Sequence, residues 1–164
     1  MENRPMVPPT SQPPPPLVET VGGEARTRLV PAIVAGAASA FIAAVMWAAI
    51  VSITGWQIGF FAIGVGLIVG VAVRRVGNGP SMALGVVAAI FALVGTLLGD
   101  FFAVATIISD IRGVGILEMF TPDELPFATN GFMRSFEAIN LLFYGLAVYT
   151  AFNTAGREGV RGVR

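Results

Sequence analysis

The sequence contains no cysteine, no histidine and no lysine, and only 12% of its 164 residues are charged. It therefore offers no ligands for histidine-bound haem, an iron–sulfur cluster or a usual zinc site, and no disulfide. Cysteine and histidine catalysis are excluded for the same reason, so we expect no catalytic residue, no metal site and no cofactor. Ten basic residues, all arginine, balance ten acidic residues and are scattered along the chain, which gives no support for nucleic-acid binding.

Apolar residues, by contrast, make up 55% of the chain. They are concentrated in four stretches separated by short polar connectors. A membrane-spanning helix needs about 20 mainly apolar residues, and the first and third stretches reach that length while the second and fourth are shorter. The pattern predicts an all-α integral membrane four-helix bundle. Its spans are expected at approximately 29–53, 56–73, 82–108 and 138–155.

The first 28 residues have a different composition, because they contain seven of the eleven prolines. Proline lacks the backbone donor that helices and strands need and favours an extended polyproline conformation. We therefore predict a disordered, proline-rich cytoplasmic tail over 1–28 and a second short cytoplasmic tail over 156–164. Pro5 to Pro8 fits the PxxP pattern that aromatic grooves recognise, whereas the simpler interpretation is a solvated linker.

Small residues recur every three or four positions in three of the four apolar stretches. Such a face lets two helix backbones approach closely in a membrane, where packing rather than hydrophobic burial drives association. We expect it to serve contacts within the bundle, and the alternative is contact with other membrane proteins or with a second copy of the chain. The glycines predicted to serve helix packing are Gly36, Gly66, Gly70, Gly95 and Gly99.

Arginine placement predicts the orientation of the chain. Four antiparallel spans put two arginines near helix ends on one side and seven on the other, and an excess of arginine marks the cytoplasmic side. Both termini are therefore expected in the cytoplasm. The two sets are Arg112 and Arg134 on one side, and Arg26, Arg28, Arg74, Arg75, Arg157, Arg161 and Arg164 on the other.

The side with few arginines carries the longest connector, which we predict as an outer loop over 109–131. Within it, Thr121 to Glu124 has the spacing of a capping box that opens a brief helical turn. Pro126 and the pair Asn130-Gly131 are expected to close that turn.

A few polar residues lie at the edges of the third and fourth stretches. Asp100 lies about 27 Å along a helix that begins at Met82, which places it near the outer boundary of the bilayer. Glu137, Asn140 and Tyr144 share one helical face, and Arg134 precedes them by one turn. They are interpreted as hydrogen-bonding contacts between helices. Alternatively, the acids and Asn140 line an outward-facing vestibule with Arg134 as counter-ion.

Several segments between residues 50 and 153 resemble a family of small bacterial multi-span membrane proteins that has no established biochemical activity. The resemblance implies a multi-span helical fold in the bacterial plasma membrane, and it implies no site residue. The segments that carry it are Trp56–Gly59, Gly64–Gly66, Arg74–Gly77, Leu98–Gly99 and Leu141–Ala151.

The sequence predicts most directly a non-catalytic structural or accessory component of a membrane, with the lipid bilayer as its partner. One alternative is a small transporter or a proton or cation conduit that uses Asp100 and Glu137. The other is a membrane enzyme based on carboxylate chemistry, which the lack of a paired-carboxylate motif disfavours.

Overall fold

The computed structural model describes residues 28–54 and 60–157. Within these ranges the chain is all-helical and contains no strand, which confirms the all-α part of the predicted fold class. It forms five α-helices and one 3₁₀ turn, Glu118–Phe120. The α-helices are α1 (Leu29–Thr54), α2 (Phe61–Val76), α3 (Met82–Arg112), α4 (Leu125–Ser135) and α5 (Ala138–Gly156). The tails predicted over 1–28 and 156–164 lie outside the described residues except at their inner ends, and Trp56 lies outside them too.

Two of these helices, α1 and α3, are long and apolar enough to cross a membrane. Helices α4 and α5 qualify only as a pair that is bent by 91° at the break between them. Helix α2 has 16 described residues, fewer than the roughly 20 that a span needs. The described residues thus support two spans, or three if the bent pair counts as one, where the sequence predicted four.

Helices α1, α2, α3 and α5 pack against one another, and small side chains fill the space between them. A Cβ atom added to Gly66 would meet the backbone of Ala147, and one added to Gly95 would lie 3.1 Å from the Cβ of Ala40. Alanines are completely buried along the same interfaces. The remaining predicted packing glycines also lie at helix contacts: Gly36 at Phe91, Gly70 at Thr154 and Gly99 at Trp47.

Large apolar side chains, in contrast, face outward. Val30 is 73% exposed, Ile53 is 84% exposed, and many other large apolar residues of the long helices are exposed as well. An apolar surface of this extent is unusual for a protein in water. It is expected for helices in lipid, where close contact between small residues rather than burial of large ones holds the helices together.

The ends of α3 follow ordinary capping rules. Ser81 has an extended backbone and its hydroxyl accepts a hydrogen bond from the Leu84 amide at 3.2 Å, as an N-cap residue does. At the other end Gly113 has a φ of 68°, the left-handed conformation that glycine adopts at least cost. The helix therefore continues past the predicted end at Ile108 to Arg112.

The predicted outer loop over 109–131 is wrong for most of its length. Besides the extension of α3, it contains the 3₁₀ turn and the first seven residues of α4. Met119 and Ala128 are fully buried against Ala105 of α3. This burial is the physical reason why the segment is folded, because it removes apolar side chains that an open loop would expose.

The capping box predicted in this segment does not form. The Thr121 hydroxyl donates to the Glu118 carbonyl at 2.7 Å, and α4 begins at Leu125 with no side-chain cap. Pro126 occupies the first turn of α4, where its missing donor is harmless. The helix then passes through Asn130-Gly131 instead of ending there.

An ion pair holds α4 to the end of α3. The Arg112 guanidinium donates to both carboxylate oxygens of Glu124, at 2.6 and 3.0 Å. It also lies 3.8 Å from the centre of the Phe127 ring. Because both partners are partly exposed, this pair contributes little to stability. Its role is to orient α4 across the end of α3.

The contact between α2 and α5 leads to a direct prediction. Gly66→Ala should lower the stability of the protein in detergent by roughly 1–3 kcal/mol, because the added methyl group meets the Ala147 backbone, which cannot rotate away. Gly64→Ala on the same helix is the matched control. Nothing lies within 4 Å of the position its Cβ would take, so the better helix propensity of alanine should leave stability equal or up to about 1 kcal/mol higher. Equal melting temperatures for the two variants would contradict the close contact.

Candidate functional site

One partly open cavity of about 290 Å³ lies among α1, α2, α3 and α5 near the break between α4 and α5. Four of the five residues in the predicted polar cluster line it, namely Asp100, Glu137, Asn140 and Tyr144. The structure thus brings Asp100 of α3 together with three residues at the start of α5, of which the nearest in sequence is 37 positions away. The other lining residues are Trp47, Ala62, Thr96, Ser135, Ile139 and Phe143.

A short hydrogen bond between α3 and α5 forms one wall of the cavity. The Tyr144 hydroxyl donates to the Asp100 carboxylate, with 2.5 Å between the two oxygens. Asp100 is only half-buried, and in the described part of the chain its second carboxylate oxygen has no hydrogen-bond partner. That oxygen remains available to a bound molecule.

Gly99, the residue before Asp100, allows Trp47 of α1 to pack closely against α3. A Cβ on Gly99 would lie 3.3 Å from the Cβ of Trp47, so α1 approaches α3 closely at this level. The indole of Trp47 therefore borders the same cavity as the Asp100 carboxylate. It also packs edge-on against Phe61 of α2, with 5.4 Å between ring centres.

Residues around the break between α4 and α5 form another part of the cavity wall. Glu137 has an extended backbone at the N-cap position, and its carboxylate caps no amide. Asn140 donates from its side chain to the Ser135 carbonyl at 3.4 Å, a long hydrogen bond that bridges the break. The i, i+3, i+7 spacing noted in the sequence then directs Glu137, Asn140 and Tyr144 to one face of α5, and all three line the cavity.

Arg134, the fifth residue of the predicted cluster, does not take part in the site. It lies on α4, is exposed and does not line the cavity. The ion pair between Arg112 and Glu124 is the only one within residues 28–54 and 60–157. The structure therefore does not bring Arg134 into the cavity lining, and its role as counter-ion stays a prediction.

Sequence reasoning missed Trp47 and Thr96. Trp47 is 6% exposed, and its indole N–H is buried without a hydrogen-bond partner in the described part of the chain. An unpaired buried donor is uncommon in proteins and calls for an explanation. The Thr96 hydroxyl donates to the Ala92 carbonyl at 2.8 Å, so its oxygen can still accept. Its position four residues before Asp100, on the same helical face, was the signal available in the sequence.

The charge of the cavity is negative. Its lining contains two carboxylates, and none of the described side chains that line it is basic. Aromatic rings of Trp47, Phe143 and Tyr144 make up much of the remaining wall. No group of three or more potential metal ligands occurs among the described residues.

No family model, curated protein or solved structure matches this chain. The resemblance to small bacterial multi-span proteins therefore remains an interpretation of packing and interface residues. Inferences about function depend on the geometry of the site itself.

Proposed function

We propose that this chain is a non-catalytic polytopic membrane protein whose acid-lined cavity binds a small organic cation. The observation that carries the proposal is the placement of Asp100 and Glu137 in one aromatic-walled cavity without a basic lining residue. Carboxylates attract a cation, and aromatic faces add a further attraction of about 0.5–2 kcal/mol each when the cation is desolvated. Of the alternatives that the sequence offered, the transporter or cation conduit is the one that shares such a cation-binding site.

We infer that all four long helices cross the bilayer. Their outward faces are apolar. Helices α2 and α5 are short, and features at their ends explain how they can still span. Arg74 and Arg75 lie in the last turn of α2, where long basic side chains extend to the headgroups and compensate for a short span. The amphipathic helix α4 lies across the other boundary, so α5 needs to reach only that level.

The proposed depth of the cavity follows from the length of α3. Its 31 residues extend about 46 Å, whereas the hydrocarbon layer is about 30 Å thick. The excess lies at the Arg112 end, where the 3₁₀ turn and α4 pack on α3. Asp100 is about 27 Å from Met82, and we therefore propose that the cavity lies at the boundary on that side and opens to water.

Charge gives the proposed orientation. The Arg28 amide donates to the Gly77 carbonyl at 3.2 Å and the Ser81 amide to the Ala155 carbonyl at 3.3 Å, so the start of α1, the α2–α3 turn and the end of α5 share one end of the bundle. Four described arginines lie there: Arg28, Arg74, Arg75 and Arg157. We propose that this arginine end and both termini are cytoplasmic, in the bacterial plasma membrane that the resemblance implies.

Single cysteines test this orientation, because the chain has none of its own. In intact cells, Thr129→Cys at the acidic end should react with a membrane-impermeant thiol reagent, and Asn78→Cys at the arginine end should react only after permeabilisation. Both positions are exposed, so accessibility rather than burial decides the outcome. The reverse pattern would show that the arginine end faces outward.

An organic cation fits the cavity better than a metal ion or a proton. A volume of about 290 Å³ is many times what one ordered water needs, and two carboxylates are fewer than the six to eight oxygens that a calcium ion takes. An organic ammonium compound is the proposed class of ligand.

Choline is a suitable probe, since its quaternary ammonium group is a small organic cation of the kind that aromatic rings bind. In a Trp56→Phe background Trp47 is the only tryptophan. We expect its fluorescence to change saturably with choline chloride but not with sodium chloride at the same concentration. Asp100→Asn should weaken binding at least about tenfold, as expected for loss of a charged partner. Asparagine still accepts from Tyr144, so this variant should fold.

Tyr149→Phe is the control, because Tyr149 is 63% exposed on the same helix as Tyr144. It should leave choline binding unchanged. The proposal fails if neither choline nor other primary and quaternary amines change Trp47 fluorescence, or if Asp100→Asn and Glu137→Gln bind them as well as the parent does. A structural or accessory role would then be the remaining interpretation.

A further inference from the structure

A second cavity, of about 420 Å³, lies at the opposite end of the bundle. We call it the arginine pocket. It lies between the end of α2, the turn before α3 and the end of α5, and no acidic residue lines it. Its lining residues are Val71, Arg74, Arg75, Asn78, Gly79 and Thr154.

We propose that the arginine pocket binds a phosphate group, either on an anionic phospholipid or as a free ion. The inference uses the proposed membrane location but does not depend on the cation cavity. Guanidinium groups bind phosphate oxygens through paired N–H donors, which makes arginine the preferred residue for such sites. The two arginines that line the pocket have more guanidinium N–H donors than the acceptors they contact among the described residues.

Arg74 is held in place by the fold. It donates from Nη1 to the Thr154 carbonyl at 3.1 Å, across the contact between α2 and α5. The same contact brings a Cβ on Gly70 to 2.8 Å from the Cβ of Thr154, so the two helices are close here. One N–H of the guanidinium is thereby used, and the group is positioned with further donors free for a ligand.

Arg75 and the turn complete the pocket. Arg75 is exposed and forms no ion pair with any acid in the described residues. Asn78 and Gly79 have φ values of 69° and 116°, which fold the chain back toward α2, and the Gly79 amide donates to the Arg74 carbonyl at 3.2 Å. Nothing lies within 4 Å of a Cβ position on Gly79, so the space above the turn is open.

The charges of the described residues are divided between the two ends of the bundle. The six described acidic residues lie in the second half of α3 or beyond it, away from the arginine end: Asp100, Asp110, Glu118, Asp123, Glu124 and Glu137. The four described arginines of that end therefore receive no neutralising negative charge from these six acids. At a membrane boundary, phosphate-bearing headgroups supply that charge, and basic pockets between helices bind them.

The test measures binding of short-chain phosphatidylglycerol to the detergent-purified full chain by native mass spectrometry. Phosphatidylcholine is the comparison, since its ammonium group offsets its phosphate and leaves no net charge. The parent should bind phosphatidylglycerol in preference. Arg75→Gln should reduce that binding about tenfold, as expected for loss of a charge-assisted contact. Arg74→Gln should do the same. Since Arg74 also contacts α5, Arg75→Gln is the decisive variant if Arg74→Gln is unstable.

Arg157→Gln is the matched control, because it removes the same charge from the same end but does not line the pocket. It should change binding less than about twofold. Inorganic phosphate shows whether the pocket needs the lipid or only the phosphate group. If it competes with phosphatidylglycerol at low millimolar concentration, a free phosphate ion is sufficient. If it does not compete, the ligand is the lipid. Equal losses in Arg75→Gln and Arg157→Gln, or no preference over phosphatidylcholine, would overturn the proposal and indicate diffuse electrostatic attraction. The choline titration has a separate outcome, since it reports on the other end of the bundle.

Discussion

The close approach of helix backbones at small residues is the constraint on which the rest of this structure depends. Gly66 lies directly against the Ala147 backbone, and Gly95 lies against Ala40. In lipid, moving a large apolar side chain from the acyl chains into the protein gives little free energy, because both environments are apolar. Contact between helix backbones therefore supplies much of the stability of the bundle. The alanine-rich interior and the bulky exterior of the four long helices are two results of the same rule.

The cavity arises where this packing is interrupted. The Gly66 contact fixes α5 against α2, and one turn earlier on α5 Tyr144 reaches Asp100 of α3. Helix α5 begins just after Glu137, and the preceding helix α4 meets it at an angle of 91°. Close packing on one side and the bend on the other leave a space that polar side chains and Trp47 line.

The described residues have a marked charge asymmetry along the bundle. The arginine end has four basic side chains and no acid, while the other end has six acids and two arginines, one of which is paired. The two proposed sites follow from this division, because the charged side chains that line each cavity are all of one sign. The membrane boundary amplifies the effect, since charged groups there are only partly screened by water.

The sequence predicted the long helices well but not the segment between α3 and α5. Helices α1, α3 and α5 were predicted within four residues of their observed ends, because apolar length alone determines them. Helix α4 was missed because Pro126 and Asn130-Gly131 are typical of turns, and tertiary burial of Ala128 overrides that local preference. Spacing along α5 predicted the shared face of Glu137, Asn140 and Tyr144. The position of Trp47 was not predictable, because a tryptophan in an apolar stretch gives no indication of what it faces.

Charge-selective labelling inside the cavity tests the central claim most directly. A cysteine at Asn140, the only one in the chain, should react faster with a cationic methanethiosulfonate reagent than with an anionic one, after both rates are divided by those for a small thiol in solution. We predict a ratio of about tenfold, which corresponds to an attraction of about 1.4 kcal/mol. The ratio should approach one when Asp100→Asn and Glu137→Gln are added. A ratio near one in the parent, or a preference for the anionic reagent, would contradict the account of an acid-lined, water-accessible cation site.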